Sequence, residues 1–199
     1  MPKIVDKEQK RKDIAQACTL LLLENGIKDL TVSQVAITAG IGKGTIYEYF
    51  KNKEDIVFEI INVFVNETID KMEEALLNAK TSRQRAFIYF DFLLDNSEEN
   101  LRQLKLYQEY LGVTLASKNS EMCQYNTQCS CGFETIFSKI IKDGIANHEL
   151  IEDAERIVPI ILIAKKGMVI SHGTQIDFDL KANMTDMINT IFDLIEVKK

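Results

Sequence analysis

The most informative part of this chain is residues 31–55, which have the sequence TVSQVAITAGIGKGTIYEYFKNKED. Thr31 and Gln34 fit a capping box, in which each side chain bonds to the backbone amide of the other at a helix start. A short helix is predicted to follow, and Gly40 supplies the left-handed residue that a tight turn needs. A second short helix is predicted from about Lys43 to Phe50. Two short helices joined by a glycine turn form a helix-turn-helix.

Helical periodicity continues on both sides of this motif. Apolar residues recur at spacings of three and four from Asp13 to Glu24 and in six further segments after Asn52, the last two at about 154–171 and 180–195. The 9 glycines and 2 prolines are too few for a turn-rich β-sandwich. The sequence therefore predicts an all-α protein of about nine helices.

The charge pattern restricts where a nucleic acid could bind. The net charge is −6, but residues 1–55 hold nine basic and eight acidic side chains, while the remainder holds fifteen and twenty-two. A nucleic-acid site would need its basic groups on one face of the first segment. No apolar run approaches the roughly 18 residues of a membrane helix, and the charged N-terminus does not resemble a signal peptide. We expect a cytoplasmic protein that does not contact membranes.

The residues that support metal or catalytic chemistry do not form a recognisable pattern. Cys129 and Cys131 are two positions apart, and on a helix their side chains point about 200° apart, which does not suit one metal ion. No paired carboxylate site, nucleophile elbow or phosphate loop is present, so we expect no enzyme, no metal and no cofactor. A regulator that responds to oxidation through Cys123, Cys129 and Cys131 stays open as an alternative.

Residues 31–55 closely resemble the helix-turn-helix of tetracycline-repressor-type (TetR) transcriptional regulators, and the resemblance extends over residues of about 8–60. It implies a helix-turn-helix DNA-binding domain at 1–52 and a helical ligand-binding and dimerisation domain at 53–199. It further implies a homodimer that pairs through the last two helices. One departure is Gly42, where the family commonly has Ser, so a hydroxyl that would reach phosphate is missing. The matching motifs are Ala39-Gly40, Lys43-Gly44-Thr45, Tyr47-x-Tyr49-Phe50 and Lys53-Glu54.

The resemblance also implies which side chains contact DNA. Lys43 begins the recognition helix, where a lysine donates to guanine O6 and N7. Lys53 lies at a helix N-terminus, which favours a phosphate. A basic stretch (Lys3, Lys7, Lys10, Arg11 and Lys12) would either add phosphate contacts or form a solvated face. The predicted DNA-binding residues are Thr31, Lys43, Gly44, Thr45, Tyr47, Glu48, Tyr49 and Lys53.

By this resemblance the protein is a ligand-responsive repressor of a pseudo-palindromic operator in double-stranded DNA, released by a small molecule in its C-terminal core. The acidic balance of that core weakly favours a cationic or neutral ligand. A helical adaptor that does not bind DNA stays an alternative, although the intact recognition helix argues against it. The candidate ligand contacts, each of which also fits plain core, are Phe87, Phe90, Tyr107, Tyr110, Tyr125, Phe133, Phe137 and Met168.

Overall fold

The structure, a computed structural model, describes residues 6–117 and 120–198. The all-α prediction is confirmed: within these residues there are eleven α-helices and one 3₁₀ helix, and the only extended pairing is an isolated bridge between Leu150 and Glu196. The chain divides into two compact units, one up to Lys71 and one from Met72.

The first unit contains the helix-turn-helix. A side-chain oxygen of Asp6 caps α1, because it accepts from the amides of Glu8 and Gln9 at 3.0 and 3.3 Å. Asn52 caps α5 in the same way, by accepting from the Asp55 amide at 2.8 Å. The helices are α1 Lys7–Ala17, α2 Thr19–Asp29, α3 Val32–Thr38, α4 Lys43–Tyr49 and α5 Lys53–Leu76, the last of which continues past Lys71.

The turn between α3 and α4 has the predicted geometry. The Thr31 hydroxyl accepts from the Gln34 amide at 3.3 Å, and the Gln34 side chain accepts from the Thr31 amide at 2.8 Å. Gly40 has φ of 66°, a left-handed conformation that favours glycine. The amide of Ile41 then donates to the Ala36 carbonyl at 3.0 Å, which closes the turn.

A small apolar core holds these short helices together. Seven-residue helices are too short to be stable alone, so packing of the side chains that face inward must stabilise them. Val35 of α3 and Ile46 of α4 are both fully buried, as the helical spacing predicts. The other buried apolar residues of this core are Ile14, Ala15, Cys18, Leu22, Leu30, Ala36, Phe50, Ile56 and Val57.

The second unit is a helical bundle. Its helices pack mainly as α6 and α10 against α9, and as α7, α6 and α10 against α11. Beyond the end of α5, they are α6 Ser82–Tyr89, α7 Asp91–Leu94, α8 Glu98–Ser117, α9 Ser120–Ala146, a 3₁₀ helix Glu152–Ile157, α10 Val158–Thr174 and α11 Leu180–Ile195.

Eleven helices replace the predicted nine because two predicted helices are interrupted. Cys18 (φ −99°, ψ 2°) separates α1 from α2, and Phe90 (φ −96°, ψ 5°) separates α6 from α7. Both residues are in the sparsely populated bridge region between helix and extended conformations. Pro159 lies in the first turn of α10, where it needs no amide partner, so the helix begins late rather than kinking.

The apolar stripes predicted on the last two helices face inward rather than outward. Met184, Ile188 and Ile195 of α11 are buried, as is Ile161 of α10. A different face of α10 is exposed, and Ile163 on it is 72% exposed. The buried members of these stripes therefore belong to the subunit's own core rather than to an exposed interface.

The segment Glu152–Thr174 is long and apolar enough to cross a membrane by length and composition alone. The sequence-based expectation that no segment approaches this limit is therefore too strict. A single such helix is weak support for a membrane span. Two adjacent lysines, Lys165 and Lys166, lie near the middle of the segment, where charge is costly in a bilayer.

Candidate functional site

The recognition helix α4 presents a polar face. Lys43, Gly44, Tyr47 and Glu48 are exposed, whereas Ile46 points into the core. These four positions share one face because neighbours on a helix surface are three or four residues apart. Tyr47 is 54% exposed, an unusual position for a large aromatic ring in a subunit viewed alone.

The other four predicted DNA-binding residues are either partly buried or already hydrogen-bonded within the protein. Thr45 and Tyr49 are half-buried. The amide of Thr31, a predicted DNA-binding residue, donates to the Gln34 side chain, so this amide is already satisfied. The ammonium of Lys53 donates to the Lys28 carbonyl at 2.6 Å, which leaves two of its three donors for a phosphate.

Arg11 belongs to an internal network rather than to a phosphate-binding stretch. Its guanidinium bonds to Asp55 at 2.8 and 3.3 Å, and to Glu59 at 2.8 and 3.0 Å. It also donates to the carbonyl of Tyr49, the last residue of α4, and lies 4.5 Å from the centre of the Phe50 ring. The hypothesis that Arg11 binds DNA phosphate is therefore wrong, because its donors are already used.

The contacts of this network also shift the pKa values of Asp55 and Arg11. Burial alone raises the pKa of the Asp55 carboxyl, but hydrogen bonds from Arg11 and from the Lys51 amide outweigh it and lower that pKa. The hydrogen bond to Asp55 raises the pKa of Arg11 above its ordinary value, and Glu59 adds to this increase, although burial opposes it. Of the other basic N-terminal residues, Lys7 and Lys12 are exposed, Lys10 is half-buried, and Lys3 lies outside the described residues.

The predicted ligand contacts lie in the second unit, and the structure brings three of them together. Phe90, Phe133 and Phe137 surround Tyr89, with ring-centre distances of 4.7, 6.4 and 4.8 Å respectively. The Tyr89 hydroxyl donates to the Phe133 carbonyl at 3.0 Å. Sequence reasoning missed Tyr89, although it lies next to Phe90. We call Tyr89, Phe90, Phe133 and Phe137 together the aromatic cluster.

The other predicted ligand contacts are more dispersed. The rings of Tyr110 and Tyr125 are 6.3 Å apart, and burial raises the pKa of Tyr110 to about 12. Tyr107 pairs instead with Phe92 at 6.4 Å. Phe87 and Met168 are half-buried. Two surface pockets in this unit are lined by other residues, one along α9 from Cys131 to Asp143 and one beside the start of α11.

The cysteines are all reduced, and two are held protonated. The Cys18 thiol is buried and faces the Val35 carbonyl at 3.7 Å, and burial raises its pKa to about 11. Burial also raises the pKa of Cys129. A protonated thiol reacts slowly with oxidants, so of the three cysteines in the thiol-responsive alternative, Cys129 does not favour it. Within residues 6–117 and 120–198, no group of three His, Cys, Asp or Glu side chains is placed to hold a metal ion.

Two short helices joined by a glycine turn, the second of which exposes a lysine, a glycine and a tyrosine, define a helix-turn-helix DNA-binding protein. Residues 14–60 match the family model for bacterial regulatory proteins of the tetR family. The N-terminal part of this chain is therefore a DNA-binding domain of the TetR family of transcriptional regulators.

Related regulators match this chain well beyond residues 14–60. The "Fatty acid metabolism regulator protein" of Bacillus subtilis is 27% identical over 195 residues, which cover 95% of both chains. The regulator QacR of Staphylococcus aureus is 25% identical over 75% of this chain and 78% of its own.

Solved structures share the fold of the whole chain. A TetR transcription regulator from Haloarcula marismortui superposes with a TM-score of 0.77 at 18% identity, covering 96% of this chain and all of that one. FadR from Bacillus subtilis, solved in complex with stearoyl-CoA, superposes with a TM-score of 0.62 at 25% identity, covering 92% and 95%. These relatives are regulators of transcription, and this chain is a DNA-binding transcriptional regulator.

Proposed function

We propose that this protein is a cytoplasmic repressor that binds a pseudo-palindromic operator as a homodimer and is released by a small molecule in its second unit. The observation that carries the proposal is the exposed face of α4, with Lys43, Tyr47 and Glu48 at its surface. One helix-turn-helix contacts a half-site, and two of them bind half-sites about 34–36 Å apart. Binding there excludes RNA polymerase.

The exposed apolar face of α10 supports the homodimer. Ile160, Ile163 and Ile170 are 60%, 72% and 45% exposed, and they recur at spacings of three and seven on one side of the helix. A second copy of the chain would bury this face, since apolar patches of this kind mark interaction sites. The same dimer explains why Glu152–Thr174 is apolar without crossing a membrane.

A route for ligand response runs along α5. This helix begins beside the recognition helix and continues into the second unit, and its residues Asp55 and Glu59 hold Arg11, which in turn holds the C-terminal carbonyl of α4. A displacement of α5 would therefore move α4. Coupling of this type usually amounts to ~1–3 kcal/mol, or roughly 5–150-fold in operator affinity.

The relatives support a hydrophobic ligand. One of them is named for fatty acid metabolism, and a similar structure holds stearoyl-CoA. The predicted contacts in this chain include the buried rings of Phe90 and Phe137, which suit an aliphatic group. No catalytic role is proposed for any residue.

The test is selection of operator DNA from a genomic library by the full chain, followed by titration of the enriched site at several salt concentrations. We expect a pseudo-palindrome and a steep negative dependence of affinity on salt, because phosphate contacts release counterions. Lys105→Ala, which removes an exposed lysine of α8, is the control for net charge. A folded dimer that enriches no sequence would point instead to an adaptor.

A further inference from the structure

A lysine lies against the aromatic cluster without an acidic partner. The Lys165 ammonium on α10 is 5.1 Å from the centre of the Phe133 ring and 5.9 Å from that of Tyr89. Its side chain is half-buried, and among the described residues no carboxylate forms an ion pair with it. Besides burial, the charge of another cation, Lys166, also acts on this ammonium.

A second cation lies on α6, the helix that carries Tyr89. Arg85 precedes Tyr89 by one turn of α6, so both side chains leave the same face of that helix. One terminal nitrogen of Arg85, Nη1, is buried and has no hydrogen-bond partner among the described residues. Burial raises the pKa of the Tyr89 hydroxyl, and the charges of Tyr107 and Glu134 add to this increase. In the described part of the chain, Glu134 forms no ion pair with Lys165 or Arg85.

Such an arrangement is unfavourable in an empty core. Removing an ammonium or guanidinium from water is costly unless an anion and hydrogen bonds compensate. A cation above an aromatic ring recovers only part of this cost. Desolvation and the neighbouring Lys166 accordingly lower the pKa of Lys165 to about 8. Both cations therefore lack the counter-charge that their environment calls for.

We propose that Lys165 and Arg85 bind the anionic oxygen group of an amphipathic ligand whose apolar part packs against the aromatic cluster. This inference rests on the proposed ligand response and specifies its chemistry. It also reverses the weak preference for a cationic or neutral ligand that the acidic composition suggests, because that acidity resides largely on exposed carboxylates. The half-buried positions of Lys165 and Phe133 leave the site reachable from solvent.

The test compares four probes that share a ten-carbon chain and are used below their micelle concentrations: decanoate, decyl phosphate, 1-decanol and decyltrimethylammonium. Binding to the full chain is measured by isothermal titration calorimetry, and operator release is measured separately by fluorescence anisotropy. We expect an anionic probe to bind at least tenfold more tightly than decanol. The tighter of the two anions identifies a carboxylate or a phosphate ligand.

Matched variants locate the binding. Lys165→Met and Arg85→Met should each reduce affinity for the anionic probe at least tenfold, while Lys165→Arg should retain it. Lys166→Met is the control, since the Lys166 ammonium bonds to the Ser130 hydroxyl at 3.0 Å. Circular dichroism and operator affinity without probe check that each variant is folded.

The outcomes separate this inference from the proposed function. Equal binding of decanol and the anions, or equal losses for Lys165→Met and Lys166→Met, overturns the anion site. Binding of decyltrimethylammonium alone, with operator release, overturns the anion site and upholds the ligand response. Anion binding that depends on Lys165 but leaves the operator bound upholds the site and removes the proposed release.

Discussion

Arg11 and Asp55 form a two-bond ion pair between α1 and α5, with nitrogen–oxygen distances of 2.8 and 3.3 Å. The same guanidinium holds the backbone carbonyl of Tyr49 at the end of the recognition helix. The Arg11 side chain thus connects α1, α4 and α5 of the first unit. Because its donors bond to groups within the protein, we expect Arg11 to affect DNA binding only indirectly.

Replacing Arg11 by Met should weaken operator binding without removing a phosphate contact. We expect a loss of about 1–2 kcal/mol in the free energy of unfolding, because charged hydrogen bonds are lost at a partly exposed site. Operator affinity should fall while the slope of its logarithm against salt stays unchanged. A lost phosphate contact would instead reduce that slope by about 0.9, and this result would contradict the internal role. Chemical denaturation and salt titration provide the two measurements.

The lowered pKa of Asp55 predicts a loss of stability in acid. A carboxyl whose pKa is lower in the folded chain contributes stability above its unfolded pKa of about 3.9, and this contribution disappears as pH falls through the folded value. Asp55→Asn should therefore unfold more easily than the unmodified chain at pH 7, and the difference should shrink towards pH 2. Urea unfolding at several pH values measures it, with exposed Asp70→Asn as the control. A difference that is independent of pH would contradict the role of the ion pair.

Lys43 and Lys53 should differ in what they contribute to binding. Lys43→Ala removes an exposed side chain that we propose contacts a base, so discrimination at one operator position should fall by about 1–3 kcal/mol. Lys53→Ala should weaken all sequences alike and should also lower stability, because its ammonium holds the Lys28 carbonyl. Titration of wild-type and mutated operators measures the first effect, and thermal melting measures the second. Equal loss of discrimination in both variants would contradict this division.

The exposed face of α10 should control assembly. Ile163→Glu places a charge on the face that a second subunit would cover, and we expect a monomer at micromolar concentration with weakened operator binding. Ile176→Glu is the matched control, since Ile176 is 93% exposed in the connection before α11. Light scattering coupled to size exclusion measures the mass of each. A dimer that tolerates Ile163→Glu would place the interface elsewhere.

Binding of decanoate should depend on pH through Lys165. An ammonium with a pKa of about 8 is charged at pH 7 and neutral at pH 9.5, so affinity should fall as pH rises above 8, by up to about tenfold per pH unit. Calorimetry between pH 6.5 and 9.5 measures the profile. Lys165→Arg should flatten it, because a guanidinium stays charged throughout. The titratable groups that act on this amine or on the adjoining Tyr89 hydroxyl are Lys166, Tyr107 and Glu134.

The helix-turn-helix could be predicted closely because its determinants are local. The capping box of Thr31 and Gln34, the glycine turn at Gly40 and the cap at Asn52 each depend on residues within four positions. The same local reasoning does not reveal Arg11's role, because its partner Asp55 is 44 residues away.

For the second unit, the helices themselves could be predicted, but not which face of each helix is buried. Met184 and Ile188 lie on an apolar stripe that fits a subunit interface and a subunit core equally well, and packing alone decides that it is core. Lys165 was missed for a related reason. A charged pair inside the apolar run of α10 was visible in the sequence, but its meaning depends on rings from α6 and α9. The division at residues 52 and 53 into functional domains stays a prediction.

The exposed side chains of Lys43, Tyr47 and Glu48 make no hydrogen bond or ion pair within the part of the chain that the structure describes. The turn, the caps and the buried face of α4 are held by other residues, chiefly Gly40 and Ile46. Changes on the outer face would therefore leave folding intact. In evolution, duplicated copies of this protein could therefore acquire different operator preferences while the residues that position α4 stay the same.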